Sequence, residues 1–208
     1  MNSRISRLTR TESKAQTRQR LGQAARREFA RYGVAAASID RISESAGFSR
    51  GAFYSNFADK HEMLLELLTQ HQAAEIEAWQ QLLDADGPIS EVLPALSDRF
   101  DAFARDGDDF LFSAELQIEA LRNPSVAIRY REFADEIAAR THKLAESFIT
   151  RAGIRFVSAE LLAVVLQSLA HQLITEARLE LGKPTTSPGE RMVSIITELL
   201  GIEPDALP

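Results

Sequence analysis

Within residues 47–60 the chain gathers side chains that could do two kinds of chemistry. Gly47-Phe48-Ser49-Arg50-Gly51 has the Gly-x-Ser-x-Gly spacing of a hydrolase nucleophile. Arg50, Tyr54, Ser55 and Lys60 are donors that could neutralise phosphate or meet the edges of bases. A nucleophilic serine needs a strand before it, a parallel sheet around it and a downstream acid and histidine. Here the preceding residues carry a helical pattern, and no alternating β pattern of useful length occurs, so the hydrolase reading is set aside. Helical di-metal chemistry fails on spacing as well. It needs Glu-x-x-His pairs, whereas Ala58, Leu68, Ala139 and Ser168 stand three residues before His61, His71, His142 and His171.

The donors need elements to position them, and the local sequence supplies two. Ser38 can cap a short helix that presents Ile39, Ile42 and Ala46 on one side. Gly47 ends it, since a residue without Cβ can take the left-handed turn between helices, and Phe48 is expected to anchor that turn in the core. Ser49 then caps a second helix whose inner face holds Phe53 and Phe57. That phase leaves Arg50, Gly51, Ala52, Tyr54 and Ser55 outward. Two such helices about a glycine turn are a helix-turn-helix, whose second helix usually enters the DNA major groove.

The run Ser38, Ala46-Gly47, Ser49, Gly51, Phe53-Tyr54, Phe57 and Lys60 resembles the TetR (AcrR-type) family of transcriptional regulators over the first third of the chain. The resemblance implies that Ser38, Tyr54 and Lys60 hold DNA phosphates while Arg50, Gly51, Ala52 and Ser55 approach base edges. Ser49 and Asn56 are counted with this DNA-facing set, although Asn56 stands where the family commonly carries His or Tyr. The family's ligand domain has no comparable signature, so the remainder resembles it only in helical layout.

Charge gives an independent test. The net charge of −6 divides into +7 over residues 1–60 and −13 over residues 61–208. A basic head joined to an acidic body suits phosphate binding by the head alone. Arg4, Arg7 and Arg10 lie in a Ser/Thr-rich arm that could mimic an organellar transit peptide; an arm touching DNA fits the adjoining motif better. With 45% apolar and 26% charged residues the composition is that of a soluble folded protein. The absence of cysteine excludes disulfides and thiolate zinc sites. The longest apolar run, Leu161 to Leu166, is far too short to span a membrane, and a cytoplasmic protein without cofactor or metal is expected.

The fold expected is all-α, with a DNA-binding head over residues 1–58 and a ligand-binding and dimerisation body over 59–208. A first helix opens at the capping-box pattern Ser13-Lys14-Ala15-Gln16, carries Leu21, Ala25, Phe29 and Tyr32 on one stripe, and stops at Gly33. A long helix from Asp59 to about Leu83 links head to body as the natural lever. Further helices are expected near Ser90–Ala104, Asp109–Arg122, Pro124–Ala152 and Ser158–Leu181, with a last one from the Ser187-Pro188-Gly189-Glu190 box to Gly201.

The last two helices are apolar around more than one stripe. The resemblance implies that they form a four-helix interface in a homodimer, with Leu162, Val165, Leu166, Leu169, Leu173, Met192, Ile195, Ile196 and Leu199 as contact residues. Two heads related by a two-fold axis would read an inverted repeat in double-stranded DNA. The resemblance also implies a small-molecule effector, and Trp79, Phe103, Phe112, Leu116, Tyr130, Phe133 and Ile137 are the candidate lining for an apolar or aromatic one. Glu115, Gln117, His142 and His171 are possible orienting groups. Repression is the default expectation; the alternative is a ligand-sensing or protein-interaction member of this fold that has lost DNA binding.

Overall fold

The first helix begins one turn earlier than the Ser13 pattern suggests. Thr9 and Glu12 form a reciprocal capping box, the Thr9 hydroxyl accepting from the Glu12 N–H and the Glu12 carboxylate from the Thr9 N–H, and this satisfies two donors that a start at Ser13 would leave open. The computed structural model describes residues 9–105, 107–182 and 184–202, and among these there are nine helices and no strand. They are α1 (Arg10–Ala36), α2 (Ile39–Ala46), α3 (Arg50–Tyr54), α4 (Lys60–Asp84), α5 (Ile89–Arg105), α6 (Gly107–Arg122), α7 (Pro124–Ala152), α8 (Ala159–Arg178) and α9 (Pro188–Leu199). The all-α fold is as expected. The arm residues Arg4 and Arg7 lie outside the described residues, whereas Arg10 already belongs to α1. Helix α8 stops short of Leu181 because the chain turns through a left-handed Glu180 at φ 52°.

Packing groups the described residues into two compact units, those within 9–70 and 108–130 and those within 71–107 and 131–202. The sequence division at residue 58 follows chain order. Contacts instead gather α6 and the first turns of α7 with the helix-turn-helix, so α4 and α7 each contribute to both units.

In the first unit Leu21, Ala25 and Phe29 of α1 are buried with Ile42, Phe53, Phe57, Met63, Leu64, Phe112 and Leu116. The rings of Phe29 and Phe112 meet edge to face at 5.8 Å. Tyr32 departs from the expected stripe: it is exposed and lies beneath the guanidinium groups of Arg41 and Arg31, 4.5 and 5.2 Å from its centroid. Gly33 does break α1, at φ 75°, and the Val34 N–H that the break releases donates to Glu115 of α6 at 2.5 Å.

In the second unit α5 and α9 share the most extensive helix contact, and their closeness depends on Gly189. A Cβ there would overlap the Ser97 carbonyl, while the Gly189 N–H donates to Asp101 at 2.7 Å. The Ser187 and Glu190 capping box and Pro188 at the first helical position form as the sequence predicts. Ion pairs tie α8 to α9 through Glu176 and Arg191 at 2.6 Å, and α4 to α5 through Glu75 and Arg99 at 2.7 Å. No helix among the described residues is long and apolar enough to cross a membrane.

Candidate nucleic-acid interface

The helix-turn-helix is built from caps and two aromatic anchors. Ser38 accepts from the Arg41 N–H to start α2, Gly47 ends it at φ 78°, and Ser49 accepts from the Ala52 N–H to start α3. Ser49 is thus a helix cap between two helices, and the Gly-x-Ser-x-Gly run has no strand before it. Phe53 is fully buried and Phe57 nearly so, with rings 5.7 Å apart. Phe48 is only half-buried, so it closes the turn less completely than expected, with Arg20 above its ring.

With Phe53 inward, Arg50, Gly51, Tyr54 and Ser55 are exposed on the opposite side of α3, beside Ser49. Ala52 is half-buried. The Ser55 hydroxyl donates to the Gly51 carbonyl at 2.8 Å. Asn56 is half-buried and folds back on α3, its amide donating to the Ala52 carbonyl at 2.8 Å. That inward fold distinguishes it from the exposed members of the expected set. Ser38 and Lys60 are half-buried at the edges, and the Lys60 ammonium donates to the Ala35 carbonyl at 2.6 Å, a single contact for a group with three donors.

Arg50 is the most constrained of these side chains. Its Nη1 lies 3.1 and 3.0 Å from the two Asp40 carboxylate oxygens, and its Nη2 lies 3.4 Å from the Tyr54 hydroxyl. The Tyr54 hydrogen bond and the Asp40 charge both raise the guanidinium pKa further.

Charged braces that helical periodicity could not reveal hold this surface. Arg18 reaches from α1 to the Asn56 carbonyl and to Glu66 of α4, stacking 4.2 Å over the Phe57 ring on the way. Glu28, buried in α1, accepts from the Ser38 N–H at 3.1 Å and from Arg41 at 2.5 Å. Asp59 accepts from the Glu62 N–H as α4 begins and is gripped by Arg129 of α7 at 3.2 and 3.0 Å. Burial opposes its charge, but Arg129, the Glu62 N–H and His61 together hold its pKa below the usual value. In the sequence these residues are charges among many others on or beside α1, α4 and α7, and nothing local marks them as partners.

The candidate effector residues divide between the units. Phe112 and Leu116 are packed in the first unit's core, which removes them from a pocket in the body, and Tyr130 belongs to that unit too. Glu115 is also there, engaged by α1, and Gln117 is exposed. Trp79, Phe103, Phe133 and Ile137 belong to the second unit. Of them only Trp79 lines its apolar cavity of about 100 Å³, together with Leu83, Leu93, Leu144, Phe148 and Ile196 among others. His142 pairs with Glu146 at 3.3 Å on one face of α7, and His171 is exposed.

The candidate dimer residues also separate. Leu162, Leu173, Met192 and Ile196 are buried within the chain, because α8 and α9 use that face for their own core. Val165, Leu166 and Leu169 are half-buried, and Ile195 and Leu199 are exposed. Leu161, Val164 and Leu199 are 56%, 58% and 55% exposed, so the outer face includes two leading residues of α8 that the expected interface omitted.

The described residues thus form a capped helix-turn-helix within an all-helical fold, the arrangement of helix-turn-helix proteins. The profile described as bacterial regulatory proteins, tetR family, matches residues 22–67. The chain is 34% identical over 84 residues to the HTH-type transcriptional regulator AcrR of Shigella flexneri, and 38% identical over 69 residues to the HTH-type transcriptional repressor AcnR of Corynebacterium diphtheriae. These matches cover 39% and 32% of this chain and 39% and 36% of the relatives, so the likeness spans well under half of either protein. Salmonella enterica GusR has the same fold at a TM-score of 0.71 and 21% identity, covering 94% of this chain and all of that one. Bacillus subtilis FadR, solved in complex with stearoyl-CoA, has it at 0.68 and 17% identity, covering 89% of this chain and 99% of that one. Over residues 22–67 the chain is thus similar to the tetR family of bacterial regulatory proteins, and its described residues share the fold of these solved regulators.

His61, next to this surface, gives the head a pH signature. Burial lowers its pKa below 6.5 and Lys60 and Arg129 reinforce that shift, outweighing the pull of Asp59 and Glu119. The unfolded chain therefore takes up a proton before the folded one as pH falls. The contribution is complete above about pH 6.5 and is lost as pH falls below that value toward the lower folded pKa. Urea midpoints of the wild type are expected to decline over that window more than those of His61→Gln; parallel curves would refute it.

Proposed function

We propose that this chain is a homodimeric, effector-responsive transcriptional regulator, a cytoplasmic repressor that binds an inverted repeat through α3. The observation that carries the reading is the exposed row of Arg50, Gly51, Tyr54 and Ser55 on a helix anchored from beneath by Phe53 and Phe57. The basic balance of residues 1–60 supports it, as do the named activities of AcrR and AcnR. A helix this short reads too few base pairs to be selective alone, which is the reason for a two-fold partner. The exposed apolar residues Leu161, Val164, Ile195 and Leu199 support α8 and α9 as its site. The apolar cavity at Trp79, one of the second unit's clefts, supports an uncharged effector, or an uncharged part of one, since every side chain named around it is apolar. About 100 Å³ suits a small ring or the end of an alkyl chain.

Selection from a random double-stranded DNA library, repeated at rising salt, tests the central claim. An inverted repeat whose affinity falls steeply with salt is expected. On that repeat Arg50→Ala should cost about 1–3 kcal/mol and relax one base position, while Lys60→Ala weakens all sequences alike. No motif from folded, dimeric protein would favour a sensor or interaction protein without DNA binding.

Sedimentation tests the second copy: Val164→Glu with Leu199→Glu should give a folded monomer where the wild type is a dimer. A wild-type monomer, or a double variant that still dimerises, would remove these helices as the interface. For the cavity, benzene and indole should raise the unfolding free energy by about 1.4 kcal/mol at ten times their Kd, and Ile196→Trp should abolish the effect by filling the space. Equal stabilisation of both proteins would place binding elsewhere.

A further inference from the structure

Asp40 is a carboxylate on the surface that would face DNA phosphates, where its charge opposes binding to every sequence. We propose that it is a positioning residue for sequence readout: with Tyr54, it holds the Arg50 guanidinium in one pose on the outer face of α3. This rests on the DNA-binding reading above and adds a residue that itself touches no DNA.

The geometry carries it. Arg50 Nη1 sits within 3.1 Å of both Asp40 oxygens, and Nη2 reaches the Tyr54 hydroxyl at 3.4 Å while the guanidinium carbon stands 5.6 Å from that ring's centroid. The two anchors come from different helices, so the pose exists only when α2 and α3 have their mutual angle. Asp40 is itself steadied in the first turn of α2, where backbone N–H groups favour a carboxylate. The contacts engage Nη1 and one N–H of Nη2, leaving Nε and the other Nη2 N–H as the edge that could meet a guanine. An exposed arginine otherwise gives up many rotamers on binding, and holding it beforehand moves that cost from the complex to the free protein. A lone exposed ion pair contributes little to stability, so the expected consequence is discrimination between bases.

The test compares wild type, Asp40→Asn and Tyr54→Phe by library selection and by binding to the selected site with single-base changes, at several salt concentrations. Asp40→Asn should lower the preference for the base pair opposite Arg50 by about tenfold while affinity for non-specific DNA holds or rises. Tyr54→Phe, which keeps the ring and loses the hydroxyl, should weaken the same position by a smaller factor. In free protein the Arg50 Nε–H should be ordered in wild type by nitrogen relaxation and released in Asp40→Asn. If Asp40 only repels phosphate or only stabilises α2, the variant will bind all sequences more tightly by one factor, or melt earlier, with base preference unchanged. Either result overturns the proposal. A wild type that selects no motif overturns the DNA-binding reading and this one with it, whereas a wild-type motif that Asp40→Asn leaves intact overturns this one alone.

Discussion

Helix α3 spans only Arg50–Tyr54, too short to persist on its own backbone hydrogen bonds, and the rest of the first unit is organised by that constraint. Its shape must be imposed from outside. Ser49 caps one end, Phe53 fixes the face turned inward, and Phe57 continues that anchor beyond the helix. Arg18 stacks over the Phe57 ring and ties the carbonyl of Asn56, just past α3, to α1, so the helix is held at both ends and from below. Each anchor acts on a different neighbour of the outward row, which fixes the direction of Arg50 and Tyr54, the Tyr54 ring meeting Phe53 edge to face at 5.5 Å while Tyr54 itself stays exposed.

The same constraint explains why so many charges are half-buried in a head of modest size. A carboxylate removed from water is costly unless cations or backbone donors replace its hydration; Glu28 and Asp59 receive both, from Arg41 and Arg129 and from backbone N–H groups, and Glu115 receives the Val34 N–H. Each receives a backbone N–H exposed by a break or a helix start: Ser38 for Glu28, Glu62 for Asp59, Val34 for Glu115. Apolar contacts alone would permit the short helices to slide, whereas these directional bonds fix where α1 ends and where α2 and α4 begin. Because α6 and the start of α7 supply Glu115 and Arg129, the segment 108–130 packs with the head although it lies far along the chain.

The sequence displayed the local half of this arrangement. Ser38, Gly47, Ser49, Ser187 and Pro188 act over a few residues, and their roles in capping and turning could be read directly. The inward phase of Phe53 and Phe57 followed from spacing. Thr9 is not legible as the cap because two adjacent capping patterns compete, and only reciprocal bonding with Glu12 distinguishes them. Phe112 and Leu116 read as pocket residues in the sequence because an apolar residue on a helix looks the same whether it lines a space or fills a core. Leu162 and Met192, buried within the chain, read as interface residues for the same reason. Asp40 with Arg50, Arg129 with Asp59 and Arg18 with Glu66 are pairs between elements, and one-dimensional periodicity carries no information about them.

The cavity's composition limits what kind of recognition the body could perform. Trp79, Leu93, Leu144, Phe148 and Ile196 offer shape and dispersion but no directional partner. A polar site rejects a ligand lacking its hydroxyl by leaving a buried donor or acceptor unpaired, whereas one methylene in an apolar space changes binding by only about 1–3 kcal/mol. Such a cavity would therefore grade ligands by volume and accept several of similar size. Sharper selection would need a polar contact outside the apolar lining, so a ligand with a polar end would have to extend beyond it. On the function proposed above, selectivity for DNA would rest on the opposite principle, with directional donors on the surface, and the two units would divide recognition by chemistry as well as by place.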